Sequence, residues 1–182
     1  KTWDDILSPE FEDSVAVPMG DLDLFNALVV NLYKEYGMDG ITRLARSYKK
    51  SLHPAQMVKA KSKGKSENPA VSIIPYFFTQ MIQGNNQVAV WPEDGAVISP
   101  IFMIAKKDKK EKTQPIIDFF MSEAVGKVFS ANGKFPSTNK LVDNGLSPDQ
   151  KFKWVGWDFI EKTDIGALLR DLEAKFNEDI LK

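Results

Sequence analysis

The residues best suited to binding a ligand stand where predicted strands give way to predicted helices. Ligands of open α/β sheets sit where strands end and helices begin, so this placement predicts ligand contacts. The candidates in these three places are Gly20, Asp21, Ser51, His53, Gln56 and Tyr76. Trp91 stands beside a turn and is a further candidate that could line the cleft.

The first place combines a glycine with two carboxylates. Gly20 lets the backbone approach a ligand closely. The charges of Asp21 and Asp23 suit a cation or an amine more than an anion. The alternative is structural: Asp21 caps the helix that begins there, and Asp23 favours its first turn through the helix dipole.

The second place contains the single histidine of the chain. His53 precedes Pro54 at a predicted helix start, where exposed N–H groups favour an anion. Ser51, His53 and Gln56 could together bind a carboxylate or phosphate group. Capping of the helix by Ser51 alone is the alternative. A lone histidine in a chain without cysteine excludes a histidine-rich or thiolate zinc site.

The third place is Tyr76, which ends a predicted buried strand. It either contacts the ligand or packs its ring and hydrogen-bonds its hydroxyl within the protein. Catalysis has no positive support, because neither a phosphate-binding glycine loop nor a nucleophile elbow is present. The sequence therefore predicts a binding protein without a cofactor and not an enzyme. An α/β enzyme would be favoured if Asp21, His53 and Tyr76 converged on one pocket.

The composition describes a globular protein without a global charge bias. The 24 Lys and Arg residues balance 25 Asp and Glu residues, which gives no reason to expect nucleic acid as a partner. No apolar run approaches the ~20 residues that span a bilayer. The residues that follow Lys1 do not form a signal peptide.

Strands alternate with helices along the chain, which predicts an α/β fold with helices on both faces of a mixed sheet. The predicted strands are Val15–Pro18, Ala70–Ile74, Gln87–Trp91 and Ala96–Ala105. The predicted helices are 21–37, ended by Gly37, then 39–48, 54–61, one from Pro75 to near Gly84, one through Ile116 and Val128, and a last one capped by Thr163. Lys59 to Asn68 is a predicted surface loop, and the pairs Phe119–Phe120 and Leu168–Leu172 are predicted core.

Several phrases occur in an order that resembles the iron(III)-type branch of the type 2 periplasmic solute-binding proteins. They are KTWDDILSPEF, VAVPMGDLDLFNAL, SIIPYFFTQM, VWPEDGAVISPIFMIAKK and PIIDFFMSEAVGKVFSANGKFPSTN. The resemblance covers about residues 1 to 140. It implies that residues 1–94 and about 150–182 form the second ligand-binding lobe. Residues 95–149 would be a crossover strand and a helix pair of a first lobe that this chain mostly lacks.

The resemblance also implies a function. Such proteins bind a solute between two lobes and deliver it to an ABC permease, outside the cytoplasm, at the periplasmic or cell surface. The implied ligand is a small anion, a polar organic solute or a metal complex. Iron-binding members use neighbouring tyrosines, whereas Phe77 and Phe78 follow Tyr76 here, so Tyr76 alone is weak support for a metal site. Self-association of the incomplete chain is a further expectation, and a sensing or interaction module is the alternative function.

Overall fold

The structure is a computed structural model that describes residues 1–59, 68–82, 87–133 and 135–182. The chain divides into two compact units. Unit 1 comprises Lys1–Ser99 and Asp149–Lys182, and unit 2 comprises Pro100–Pro148. Most of the predicted loop from Lys59 to Asn68, and the predicted helix end near Gly84, lie outside the described residues.

A three-stranded parallel sheet organises unit 1. Its strands are β1 (Val15–Val17), β2 (Tyr48–Ser51) and β3 (Val71–Ser72), in the order β2-β1-β3. A separate parallel pair joins β4 (Ala96–Val97) to β5 (Phe152–Lys153). The predicted α/β class is confirmed, and every strand pair in the described residues is parallel where a mixed sheet was expected.

Unit 1 contains five helices in its described residues, and the longest of them is kinked at a glycine. They are α1 (Trp3–Ile6), α2 (Leu22–Ser47), α3 (Pro54–Met57), α6 (Trp157–Lys162) and α7 (Ile165–Asp179), with 3-10 turns at Pro9–Phe11 and Tyr76–Met81. Gly37 kinks α2 with φ 64° and ψ −159°, a conformation that L-residues rarely adopt. The predicted break at Gly37 is therefore confirmed.

The core of unit 1 lies where α2 and α7 pack together beside β1. Phe176 is fully buried, and its ring makes edge contacts with Phe25 at 5.2 Å and Tyr48 at 5.6 Å between centroids. Leu168 and Leu172 are buried as predicted, because they lie on the same stripe of α7. The buried apolar side chains that surround these residues are Val15, Val17, Leu28, Val29, Leu32, Ile41 and Leu44.

Three predicted elements of unit 1 are wrong in detail. Residues 87–91 form no strand, and the predicted strand from Ala96 to Ala105 is confined to Ala96–Val97. Among the described residues, no neighbouring strand pairs with residues 87–91 or with the chain beyond Val97. Thr163 ends α6, while the carboxylate of Asp164 caps α7 by accepting a hydrogen bond from the Ala167 N–H at 2.9 Å.

Unit 2 contains two helices and little core. They are α4 (Lys110–Phe120), which follows a 3-10 turn at Lys107–Lys109, and α5 (Glu123–Gly133). Phe119 and Phe120 are 62% and 46% exposed, so their prediction as core residues is wrong. Among the residues of unit 2 that the structure describes, none forms a layer that covers that face of α4. No helix in the described part of the chain is both long and apolar enough to cross a membrane.

Candidate functional site

The three segments that hold the predicted ligand-binding residues all begin at the same edge of the sheet in unit 1. Val17 pairs with Ser51, and Ala16 pairs with Ser72, so the carboxyl ends of all three strands lie side by side. The chain passes from β1 to β2 on one side and then to β3 on the other. The strand order therefore reverses between β1 and β3, which is where open α/β sheets form a ligand crevice. We call this end of the sheet the carboxyl edge.

Gly20 and Asp21 follow the central strand. The Asp21 carboxylate accepts a hydrogen bond from the Leu24 N–H at 3.5 Å, which makes it the cap of α2. Asp21 therefore caps α2, as the structural alternative predicted, and the capping hydrogen bond is long. Around Gly20, a β-carbon would meet no atom within 4 Å, so the backbone borders open space. Asp23 is exposed in the first turn of α2.

His53 caps α3, which corrects the expectation that Ser51 does so. The Nδ1 atom of His53 accepts a hydrogen bond from the Ala55 N–H at 3.2 Å. In return, the His53 N–H donates to the Gln56 side-chain oxygen at 3.1 Å. A histidine can replace serine here because its ring nitrogen reaches the same N–H groups. Ser51 ends β2 and is exposed.

Ring contacts join the second and third places at the carboxyl edge, and join the third to Trp91. His53 and Phe78 lie edge to face, with centroids 6.2 Å apart, which links the segment after β2 to the segment after β3. Tyr76 makes a similar contact with Trp91 at 5.1 Å. Trp91 in turn contacts Phe152 at 5.5 Å. The Trp91 indole N–H also donates to the Lys151 carbonyl at 2.7 Å, so Trp91 is held in a fixed orientation.

An ionic cluster that the sequence did not reveal fixes the turn after Trp91. The Lys153 ammonium is bonded to Glu35 of α2 and to Asp94 of the turn, the latter at 2.8 Å. Asp94 also accepts from the backbone N–H of Trp3 at 3.2 Å. Burial tends to lower the pKa of Lys153, but the hydrogen bonds and charges of Asp94 and Glu35 outweigh it, so the pKa is raised. The ion pair thereby joins β5, α2 and the turn.

Sequence spacing gave no signal for this cluster, because Asp94 and Lys153 are 59 positions apart. Gly95 follows Asp94 in the same turn, and its φ is 109°. Its carbonyl accepts the Trp3 indole N–H at 2.8 Å. A glycine next to an acidic residue is ordinary in a turn, and the contact with Trp3 shows what this turn anchors.

A groove of about 670 Å³ lies at the opposite end of the sheet, where β1 and β2 begin. Three of its charged groups, Lys175, Asp179 and Lys182, are paired with one another. Asp179 accepts from Thr42 at 2.7 Å and is bonded to Lys175 and Lys182. The Thr42 hydroxyl and the two ammonium groups hold the pKa of Asp179 well below its ordinary range. This groove is therefore a surface depression bounded by structural ion pairs, and none of the predicted ligand-binding residues line it.

The carboxyl edge is suited to contact a small molecule and offers no assembled catalytic group. The Asp21 and His53 side chains each accept a hydrogen bond from an N–H at the helix start of their own segment. Within the described ranges, no three His, Cys, Asp or Glu side chains cluster in a way that could hold a metal ion. What the edge does offer is a group of half-buried aromatic rings in the segment after β3 and at Trp91.

Comparison with known proteins identifies the family of the chain. The family model described as bacterial extracellular solute-binding protein matches residues 1–163, which is most of the chain. Searches of curated proteins and of solved structures gave no significant match. The family match includes both sheets, all three predicted ligand-binding places and the whole of unit 2. The chain belongs to the family of bacterial extracellular solute-binding proteins.

Proposed function

We propose that the chain captures a small solute at the carboxyl edge of unit 1 for delivery to an ABC-type importer. The observation that carries the proposal is the register of the parallel sheet. It supports the proposal because Gly20 and Asp21 follow β1 and Tyr76 follows β3, the two strands between which the strand order reverses. Family membership supports capture of a solute, and the contacts of Trp91 support its place in the crevice wall.

The ligand-binding residues we propose are those of the three places together with Trp91. They are Gly20, Asp21, Ser51, His53, Gln56, Tyr76 and Trp91. The expected solute is a small anion, a polar organic molecule or a metal complex. Iron(III) itself receives no support from the rings beside Tyr76, because Phe77 and Phe78 carry no oxygen. In the intact protein the expected location is the periplasm or the cell surface.

The lobe assignment is part of the proposal. Residues 1–94 and about 150–182 would form the second lobe, and 95–149 would complete a first lobe. The composition of unit 2 supports this assignment, because residues 101–104 are all apolar and Ile101 and Ile104 are 82% and 92% exposed. Such runs are typical of strands that are covered on both faces. Closure of two lobes over a solute would then follow the hinge motion of such domains.

A panel of ligands tests the proposed capture. The thermal unfolding midpoint of the protein should rise with one of the metals, oxyanions, polyamines or small acids, because a ligand that binds only the folded state stabilises it. At a ligand concentration of about 100 Kd the stabilisation is ~2.7 kcal/mol. The absence of a shift with every class at millimolar concentration would contradict solute capture. It would favour the alternative, in which the same fold serves as a sensing or interaction module.

The uncovered apolar residues of unit 2 predict that the isolated chain associates with itself. Light scattering should give a mass above the 20.5 kDa of the monomer. Ile104→Lys should shift the mass towards the monomer, because it places a charge in the apolar segment. Leu181→Lys is the matched control, since Leu181 is an equally exposed apolar residue in unit 1. A monomeric mass for the unsubstituted chain in dilute solution would contradict this expectation.

A further inference from the structure

We infer that Lys153 is a positioning residue of the proposed solute site, whose ammonium group holds Trp91 and the helix that begins after Asp21 in one fixed arrangement. The inference rests on the proposed capture at the carboxyl edge and names a residue that acts on that site without touching the solute. Three features carry it: the bonds of Lys153, a second bond beside them, and the contacts that hold the indole of Trp91.

Lys153 joins α2 to the turn that follows Trp91. Its ammonium group is bonded to Glu35 of α2 and, at 2.8 Å, to Asp94 of the turn. The side chain of Lys153 is only 13% exposed, so these two carboxylates replace most of the water that the charge would otherwise bind. The bonds to a helix and to a turn from one half-enclosed charge fix the distance between those two elements.

A second bond ties the same part of α2 to the chain after β5. The ammonium group of Lys34, the neighbour of Glu35, donates to the Val155 carbonyl at 2.8 Å. This lysine donates from α2 towards the chain after β5, whereas Lys153 donates from β5 towards α2. Because α2 runs as one helix from its cap at Asp21 to its kink near Glu35, both bonds fix the segment that begins at the first ligand-binding place.

The indole of Trp91 is held by the segment that carries Lys153. Its N–H donates to the Lys151 carbonyl at 2.7 Å, and the same carbonyl accepts from the Ala96 N–H at 2.9 Å. The Trp91 ring also contacts Phe152, with 5.5 Å between the centroids. Three consecutive residues therefore act together, since two of them hold the indole and the third is bonded to the turn and to α2. A shift of this segment relative to the turn would move the indole.

Loss of the Lys153 ammonium would release the turn without unfolding the chain. The carboxylates of Asp94 and Glu35 would then repel each other with no cation between them. Asp94 would keep its hydrogen bond from the Trp3 N–H at 3.2 Å, and β4 would stay paired with β5. Tight binding requires contact side chains that are locked by such supporting bonds. The expected result is a folded protein in which Trp91 is loosely oriented.

The Trp91 indole N–H tests this link in the full chain before any solute is added. In NMR spectra of the indole groups, Lys153→Met and Asp94→Asn should each speed exchange of that N–H with water about fivefold or more, and the double variant should be no faster, because both changes break one link. Lys175→Met is the matched control, since it removes a lysine bonded to Asp179 in α7 and should leave this exchange unchanged. Additive accelerations, or unchanged exchange with only a lower thermal midpoint, would overturn the inference.

Affinity separates the inference from the proposed capture. Phosphate, acetate, putrescine and ferric citrate are the probes, titrated at a temperature at which every variant is folded. Lys153→Met should weaken binding of whichever probe the unsubstituted chain binds by about tenfold or more, and Lys175→Met should leave it unchanged. Equal affinity for Lys153→Met would overturn the inference and leave solute capture standing. Weaker binding without faster indole exchange would also overturn it, because Lys153 would then contact the solute itself.

Failure of capture has a different signature. If neither these probes nor any class in the wider panel bound to the unsubstituted chain, the result would count against solute capture and against a role of Lys153 at a solute site. Faster indole exchange in Lys153→Met would still show that this ammonium group holds Trp91 in place.

Discussion

Replacing Phe176 with alanine is expected to lower the free energy of unfolding of unit 1 by about 4 kcal/mol. Phe176 is fully buried, and its ring lies between Phe25 of α2 and Tyr48 of β2. Truncation would remove both edge contacts and leave a cavity at the point where α7 packs on α2. The cost combines lost apolar burial with lost aromatic contacts.

Urea unfolding followed by tryptophan fluorescence measures this effect. All four tryptophans, Trp3, Trp91, Trp154 and Trp157, lie in unit 1, so the signal reports that unit alone. Leu181→Ala is the control, because Leu181 follows α7 but is 87% exposed and should change the free energy by less than about 0.5 kcal/mol. A change below about 1 kcal/mol for Phe176→Ala would mean that α7 does not complete the core.

Replacing Gly95 with alanine is expected to lower the free energy of unfolding by about 3 kcal/mol. Two effects combine at this turn. The φ of 109° is strained for an L-residue, and the new β-carbon would lie 2.8 Å from the carbonyl carbon of Phe152 and 3.0 Å from the backbone nitrogen of Lys153. Because those are backbone atoms, relief requires that β4 and β5 move apart.

Gly156→Ala is the matched control for the turn. Gly156 also has a positive φ, of 81°, but a β-carbon there would meet no atom within 4 Å. It should therefore cost only the backbone strain, about 1 to 2 kcal/mol. The same fluorescence-monitored unfolding compares the two variants. Equal losses would show that close packing of Gly95 against β5 contributes nothing to stability.

Local chemistry made some elements predictable from the sequence. Gly37 ends a helical segment because glycine readily adopts positive φ, and the apolar stripe of α7 could be read from its spacing. The shared edge of the three ligand-binding places could not be derived in full, because no strand was predicted before Ser51, where β2 forms. Whether the residues at that edge touch the solute stays a prediction.

Other features depended on contacts between distant parts of the chain. The bonds from Lys153 to Glu35 and Asp94 join residues 118 and 59 positions apart, and no local pattern marks them. His53, and not Ser51, caps α3, because the His53 ring nitrogen accepts the hydrogen bond from the Ala55 N–H. Phe119 has the spacing of a core residue but faces no second layer within unit 2, since periodicity tells which face is apolar and not what covers it.

The central claim is that the solute binds at the carboxyl edge between β1 and β3. It is tested most directly by amide and indole chemical-shift mapping of the chain during titration with the ligand that stabilises it most. We predict that the Trp91 indole and the amides of Gly20 and Tyr76 shift with one common affinity, while Thr42 and Asp179 in the groove at the other end do not. Shifts confined to Thr42 and Asp179, with the Trp91 indole unchanged, would contradict the account.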